Sequence, residues 1–212
     1  MEVFILDYEK MLKFVKETLE ANDAIRPKKP NQGFRDRFEH TQRVFKWCKI
    51  LMKDYVLINE EVCLTAAIFH DVGYAYGQDN HPHNGVLLFQ DYALKNNFDT
   101  DFIKQVSDII EVHSDKTLLK NDRSKPELII VLEADLMDEE GALGILWDLM
   151  SEGLKNPKSY IDGLNTLYEH SAHILNQDYM VTPIARKEWN HKKEFVKNFI
   201  EELKMDLFME EK

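Results

Sequence analysis

Apolar residues recur along most of the chain with the spacing of one face of an α-helix, and no segment alternates convincingly as a strand would. This periodicity predicts an all-α fold. The predicted helices cover residues 7–21, 37–55, 60–71, 84–97, 100–114, 125–137, 139–153, 158–176 and 183–210.

Three of these helices begin beside a proline that has a potential capping residue next to it or nearby. The three starts are Ser124-Lys125-Pro126, Asn156-Pro157 and Thr182-Pro183. Proline is tolerated in the first turn of a helix, and Ser, Asn and Thr side chains cap helix N-termini. Residues 22–36 could form an arm or a linker, but too few residues precede them for a separate domain.

Composition and charge argue against several classes of protein. Eight glycines and six prolines are few for 212 residues, which disfavours a turn-rich all-β fold. The 27 Lys and Arg against 38 Asp and Glu give a net charge of −11 without a basic stretch, which disfavours a dedicated nucleic-acid-binding protein. No apolar run approaches the ~18 residues of a membrane span and the start has no basic leader, so we expect no membrane partner and a cytoplasmic location.

Polar residues that can bind a metal lie on the inward face, or at the end, of four apolar stripes. His40 is in register with Val44 and Leu51 and therefore falls on the face that should pack inward. The others lie where the apolar pattern of a helix gives way. The residues at these positions are His40, His70, Asp71, His113 and Asp135.

These inward polar residues favour one shared divalent ion. Taken singly, each histidine is more often a hydrogen-bonded core residue, and Asp135 a capping or ion-paired carboxylate. A buried carboxylate costs several kcal/mol unless it is paired or coordinated, so their joint occurrence needs one explanation. Imidazole and carboxylate together suit Mn, Fe, Ni or Zn, whereas calcium prefers oxygen ligands. Cys48 and Cys63 belong to no paired motif, so neither a disulfide framework nor a thiolate zinc site is indicated.

The order His40, His70-Asp71, Asp135 resembles the H…HD…D signature of the HD-domain metal-dependent phosphohydrolases. Residues 67–73 read AIFHDVG, which is similar to the family's apolar-apolar-H-D-I/V-G, and residues 40–44 read HTQRV, which looks like its H-x-x-R-V. Two further segments resemble a bacterial subgroup of predicted HD hydrolases. They are residues 132–145 (LEADLMDEEGALGI), similar to D-A-D-R-L-D-A-x-G-A-x-G-I, and residues 182–186 (TPIAR), similar to T-x-x-A-R.

The resemblance implies an all-α HD-type helical bundle that forms a single domain over residues 1–212. Its core would span about 37–140, and C-terminal helices over 158–210 would pack on that core. Two residues depart from the subgroup's pattern. Leu136 stands where the subgroup usually has Arg, and Glu133 where it usually has Asp. Both departures leave the metal ligands intact and bear on the substrate.

The resemblance also implies the metal ligands. The four residues that would hold one divalent transition-metal ion are His40, His70, Asp71 and Asp135. His81 and His113 match two further histidines found in some members, and could hold a second ion bridged by Asp71. Alternatively, His81 is a loop residue and His113 a substrate contact beside a single ion. His83 competes with His81, but its spacing to Gly85 fits the family less well.

The function that the resemblance implies is hydrolysis of phosphate esters or pyrophosphate bonds in small molecules, above all nucleotides, by metal-activated water. Asp71, His113 and Arg43 would carry the reaction. A chain of charge −11 also needs local cations for a phosphate, for which Arg43 and Lys116 are the candidates. Two alternatives stay open: an HD-type di-iron oxygenase, and a catalytically silent module that binds a nucleotide for regulation.

Overall fold

The computed structural model describes residues 6–28, 32–55, 57–121, 123–153 and 159–208. In these ranges the regular structure is entirely helical, without a strand, which confirms the all-α prediction. The α-helices are α1 (Tyr8–Ala21), α2 (Arg37–Leu51), α3 (Glu60–Phe69), α4 (His81–Lys95), α5 (Thr100–Val112), α6 (Pro126–Glu139), α7 (Ala142–Gly153), α8 (Tyr160–Glu169) and α9 (Pro183–Phe208).

Short 3₁₀ segments account for most differences from the predicted helices. They cover Met52–Asp54, Val72–Tyr76, Lys116–Lys120 and Ser171–Asn176. The helices predicted over 37–55 and 158–176 therefore each consist of an α-helix followed by a 3₁₀ segment. The periods of the two helix types, 3.6 and 3.0 residues, cannot be told apart over a few residues of sequence. The helix predicted over 84–97 begins earlier, at His81, and the one over 60–71 ends at Phe69.

Helix caps are only partly as predicted. Thr182 accepts a hydrogen bond from the backbone N–H of Ala185 through its hydroxyl, as a cap of α9 should. The cap predicted at Ser124 is wrong, because its hydroxyl donates to the carbonyl of Leu118 and Lys125 stands at the N-cap without a side-chain bond. The predicted start at Asn156-Pro157 lies outside the described residues.

Helix α3 is the centre of the bundle. All of its residues from Val62 to Phe69 are buried, and it contacts α1, α2, α5 and α6. Cys48 and Cys63 are both buried and free. Because α2 packs on α6 and α4 packs on α5 and on the 3₁₀ segment after α3, the end of α3 is enclosed by all of these elements. His70 and Asp71 lie at this end.

The helices α7, α8 and α9 form a second group beside the core. Helix α9 contacts α8, and it also touches α2 and α6. Glu133 of α6 is fully buried and accepts hydrogen bonds from the backbone N–H groups of Val181 and Thr182 at 2.5 and 2.8 Å. Its second oxygen accepts from the Thr182 hydroxyl at 2.8 Å. The carboxylate at position 133 thus fastens the start of α9 to the core.

No helix among the described residues is both long enough and apolar enough to cross a bilayer.

Candidate metal centre

Six residues predicted as metal ligands converge at the end of α3. His70 is the C-cap of α3 and Asp71 follows it with φ −101° and ψ 0°, so the chain leaves the helix between them. This break allows two adjacent side chains to reach one place. The other elements each bring one ligand: His40 from α2, His81 from the first position of α4, His113 from the C-cap of α5 and Asp135 from α6.

Gly73 is what allows α4 to begin beside Asp71. A Cβ atom at this position would lie 1.9 Å from the carbonyl oxygen of His81 and 2.4 Å from the backbone nitrogen of Gly85. Real Cβ atoms never approach so closely, so only glycine lets the 3₁₀ segment after Asp71 pack on the first turn of α4. His81 is therefore a helical residue, and the alternative that it is a loop residue is wrong.

One group of donors consists of His40, His70, Asp71 and Asp135. The Nε2 atoms of His40 and His70 lie 3.3 Å apart. Asp71 places one carboxylate oxygen 3.6 Å from His70 Nε2 and the other 3.7 Å from His40 Nε2. Asp135 Oδ1 lies 3.1 Å from His40 Nε2 and 3.9 Å from His70 Nε2. Ligands ~2.1 Å from one ion are about 3.0–3.4 Å apart when adjacent and about 4.2 Å when opposite, so His40, His70 and Asp71 can share one ion, and Asp135 lies beside them against His40.

The other group consists of Asp71, His81 and His113. The Nε2 atoms of the two histidines lie 3.2 Å apart, and Asp71 Oδ1 lies 3.7 Å from His81 and 3.4 Å from His113. His83 is not part of this group: it is half exposed and its Nδ1 lies 3.3 Å from Glu111. Asp71 therefore belongs to both groups.

The histidine rings are oriented through their Nδ1 atoms. Nδ1 of His70 and of His113 lies 2.8 and 2.7 Å from the backbone carbonyls of Ala67 and Ile110. Nδ1 of His40 instead lies 2.7 Å from the carboxylate of Asp138. Such bonds place the proton on Nδ1 and leave Nε2 as a metal ligand. The donor set thus fits a divalent transition metal, because imidazole and carboxylate atoms converge with their second shell already in place.

Burial and mutual charge decide the protonation of the ligands. Burial alone would raise the pKa of Asp71, but the neighbouring histidines, His70 foremost, outweigh it and hold the pKa well below its usual range. Burial lowers the pKa of His70 to about 4. In His40 burial also acts to lower the pKa, but hydrogen bonds to Asp135 and Asp138 outweigh it and raise the pKa to about 10. Asp71 is therefore ionised and His70 neutral, as metal binding requires, whereas His40 has to release a proton before its Nε2 can bind an ion.

The two predicted phosphate contacts are engaged by carboxylates. Nε and an Nη atom of Arg43 donate to the two oxygens of Asp138 at 2.6 and 3.0 Å, on the Nδ1 side of His40. The ammonium of Lys116 lies 2.5 Å from Asp135 and 3.0 Å from the carbonyl of His113. Lys116 therefore lies at the rim of the metal centre and Arg43 behind it. That either residue contacts a substrate stays a prediction.

Sequence reasoning missed three residues around this centre. Asp138 lies one helical turn after Asp135, and this register alone could have indicated it. Arg37 lies one turn before His40 on α2 and is 9% exposed. Tyr74 stacks on His81 with ring centroids 4.1 Å apart and an interplanar angle of 13°.

Comparisons with known proteins give a family match and similar folds. Residues 37–140 match the model of the HD domain family. An HD-superfamily hydrolase from Bacillus thuringiensis is 24% identical, with a TM-score of 0.70 over 94% of this chain and 96% of that chain. A predicted HD superfamily hydrolase from an uncultured Thermotogales bacterium is 18% identical, with a TM-score of 0.63 over 94% and 92%. The YpgQ protein of Bacillus subtilis in complex with ADP is 20% identical, with a TM-score of 0.64 over 95% and 98%.

At these identities the likeness to the solved structures shows a shared fold. Among curated proteins, none matches the chain significantly.

Proposed function

We propose that this chain, a member of the HD-domain family, is a metal-dependent phosphohydrolase of small phosphorylated molecules. The observation that carries the proposal is the pair of buried donor groups that share Asp71. A carboxylate in that position suits two ions that act on one phosphoryl group, since two-metal sites hold both the attacking and the leaving oxygen of a displacement.

The residues divide the work as follows. The group of His40, His70, Asp71 and Asp135 would hold one ion, and Asp71 with His81 and His113 the other. Divalent ions bound there lower the pKa of water toward neutrality and polarise phosphoryl oxygens. Asp71, kept ionised by the surrounding imidazoles, orients the reacting groups between both sites, and Lys116 supplies positive charge at the rim.

Nucleotides are the substrate class that we propose. One protein of the same fold, YpgQ, is found in complex with ADP. In this chain, Arg37 and Lys116 place two partly or fully buried cations near the donor groups of a protein whose net charge is −11. Such local cations attract a polyanion that the chain as a whole would repel.

An HD-type di-iron oxygenase is the second candidate function. It would use the same six ligands, and the double group around Asp71 fits two iron ions as well as it fits other divalent ions. The two functions differ in what they consume, because an oxygenase needs O₂ and releases no phosphate from phosphate esters.

A screen of phosphate esters and of nucleoside mono-, di- and triphosphates with Mn²⁺, Fe²⁺, Ni²⁺ or Zn²⁺ tests the proposal. Phosphate and pyrophosphate release are measured separately, in air and without oxygen. We expect release with at least one metal, independent of oxygen, that is lost in His81→Ala and kept in His83→Ala. The second variant is the matched control, because His83 contacts Glu111 instead of Asp71. Release of neither product with any metal would refute the proposal.

A further inference from the structure

Arg37 is a buried cation that forms no ion pair with any carboxylate in the described part of the chain. Its side chain is 9% exposed, and among the described residues nothing accepts a hydrogen bond from its Nε atom. Its guanidinium lies 3.7 Å from the centroid of the Tyr74 ring, which is its main contact. Burying a cation without a carboxylate is costly, and a cation–π contact offsets only part of that cost. Such a position suits a residue that binds an anion.

Arg35, two residues earlier, is an arginine whose charge is compensated by an ion pair. Its guanidinium also lies over an aromatic ring, 4.2 Å from the centroid of Trp147. In contrast to Arg37, it forms an ion pair with Glu139 at 2.9 Å. The two arginines thus share an aromatic contact and differ in whether their charge is compensated. That difference gives a matched pair for experiment.

The nearest compensation for Arg37 comes from the metal centre itself. Burial lowers the pKa of Arg37, and Asp71 is the charge that opposes this most. Asp71 is also the carboxylate shared by both donor groups. If divalent ions bind to Asp71, the negative charge of its carboxylate no longer compensates the positive charge of Arg37. The guanidinium then needs an anion from elsewhere, and a substrate beside the ions can supply it.

A cavity of about 600 Å³ gives an anion access to Arg37. It lies between the loop that follows α1 and the 3₁₀ segment that follows Asp71, and its volume is that of a small-molecule site. The residues of its lining that matter here are Arg26, Lys28, Arg37, Tyr74, Tyr76 and Gln78. The carboxylate in the described lining is that of Asp23, which is 95% exposed and lies 3.6 Å from Lys28. The lining therefore carries a net positive charge.

Tyr74, which lines the cavity, also contacts His81 of the candidate metal centre. Tyr74 lies between Arg37 and His81, with Arg37 over its ring and the His81 ring stacked nearly parallel to it. Arg37 is also one turn before His40 on α2, so both side chains are on neighbouring parts of one helix face. A substrate group at Arg37 would thus be separated from the His81 donor by the thickness of one aromatic ring.

We propose that Arg37 binds a second phosphoryl group of the substrate, next to the one that reacts at the metal centre, and makes the chain selective for substrates with two or more linked phosphoryl groups. The inference rests on the proposed function for the identity of the anion. Arg26 and Lys28 would attract the outer part of the same polyanion. The planar guanidinium supplies two parallel donors to phosphate oxygens, which a lysine cannot do.

Binding to the Mn²⁺-loaded protein tests the inference without turnover. The probes are methylenediphosphonate, which carries two phosphonyl groups, and methylphosphonate, which carries one. We expect wild type to prefer the first, and Arg37→Met to lose about tenfold or more of its affinity for methylenediphosphonate alone, since hydrogen bonds to charged groups contribute on this scale. Arg37→Lys should regain part of the loss. Arg35→Met should bind both probes as wild type does.

Thermal unfolding separates binding from a structural role. Removal of a buried, uncompensated cation should leave the midpoint of Arg37→Met equal to or above that of wild type, whereas Arg35→Met breaks an ion pair and should unfold earlier. A fall in the midpoint of Arg37→Met comparable to that of Arg35→Met, or equal affinity of Arg37→Met and wild type for methylenediphosphonate, would overturn the inference.

Kinetics on nucleoside di- and monophosphates distinguishes this inference from the proposed function. We expect the ratio of kcat/KM for the diphosphate to that for the monophosphate to fall about tenfold in Arg37→Met. Hydrolysis with an unchanged ratio would overturn the role of Arg37 and leave the proposed function standing. No hydrolysis in wild type, with binding of methylenediphosphonate still dependent on Arg37, would refute the proposed function and support the anion site.

Discussion

The two donor groups are the halves of the candidate metal centre, and their side chains are held with different firmness. In the half of His40 and His70, both imidazole side chains are at most 2% exposed, and their Nδ1 atoms are held at 2.7 and 2.8 Å. In the other half His113 is equally buried, but His81 is 15% exposed and its Nδ1 lies 3.3 Å from the carbonyl of Gln78. Metal affinity depends on how firmly the second shell holds each ligand. We therefore expect the half of His40 to bind its ion more tightly.

The difference follows from which elements build each half. His40, His70 and Asp135 come from helices that form the centre of the bundle, where packing fixes each side chain. His81 comes from the exposed start of α4, whose place depends on the close contact at Gly73 and on the stack with Tyr74. We therefore expect substitutions and bound substrates to change the metal affinity of the half that contains His81 more than that of the half that contains His40.

Asp71→Ala should have the largest effect, because it removes the ligand common to both halves. We expect loss of metal retention at both sites and of phosphohydrolase activity, with helical content by circular dichroism nearly unchanged. Asp79→Ala, a change at an exposed aspartate of the turn before α4, is the control and should retain both. A metal-replete and active Asp71→Ala protein would contradict the assignment of the centre.

His113→Ala should separate the halves. If His113 is a ligand, the stoichiometry of bound Mn²⁺ should fall from two toward one per chain, and kcat should fall on the order of 10² to 10³, as when one group that stabilises a transition state is lost. Equilibrium metal analysis on wild type and variant measures this. A wild-type stoichiometry of one at saturating metal, with the effect of the variant confined to KM, would show that His113 contacts substrate beside a single ion.

The sequence predicted which polar side chains come together better than it predicted their surroundings. Apolar periodicity placed His40, His113 and Asp135 on inward faces, and the structure brings them together with His70 and Asp71. Periodicity indicates which side of a helix packs inward, but not which side chain from a distant part of the chain contacts that side. Hence the sequence does not indicate that the guanidinium of Arg43, predicted to contact phosphate, also pairs with a carboxylate 95 positions away.

The lining of the cavity at Arg37 could not be predicted from the sequence for the same reason. Arg37 is a polar residue at the start of a helix, where a charged side chain ordinarily faces water. Its burial depends on Tyr74, which reaches it only because the 3₁₀ segment after Asp71 folds back beside α2. No spacing rule connects two residues across such a loop.

Asp138→Asn should weaken only the half of His40. The carboxylate of Asp138 lies 2.7 Å from His40 Nδ1 and also holds Arg43, so its loss frees the imidazole to rotate and leaves the guanidinium unpaired. Loss of such a second-shell partner typically costs about 10–100-fold in metal affinity. Competition with a chelator measures the affinity of each site. Asp148→Asn removes the partner of Ser171 in the C-terminal helices and should change neither affinity.

A further difference between the two halves concerns protons. In the metal-free protein the pKa of His40 is about 10, above the ordinary 6.5, so its protonated form stabilises the fold fully below pH 6.5, and this contribution is lost as the pH rises through about 10. Burial lowers the pKa of His81, which is therefore neutral at pH 7 and above. A metal ligand must be deprotonated, so an ion that binds at His40 displaces a proton and one that binds at His81 does not.

This asymmetry predicts how the affinity of each half changes with pH. Between pH 7 and 9, Mn²⁺ affinity at the half of His40 should rise about tenfold per pH unit and that at the half of His81 should stay nearly constant, since one displaced proton per ion gives a slope of one. Calorimetric titrations in buffers of different ionisation enthalpy count the protons directly, and His113→Ala isolates the first half. Equal proton release from both halves would mean that His40 is not the protonated ligand, and that the two halves differ in rigidity alone.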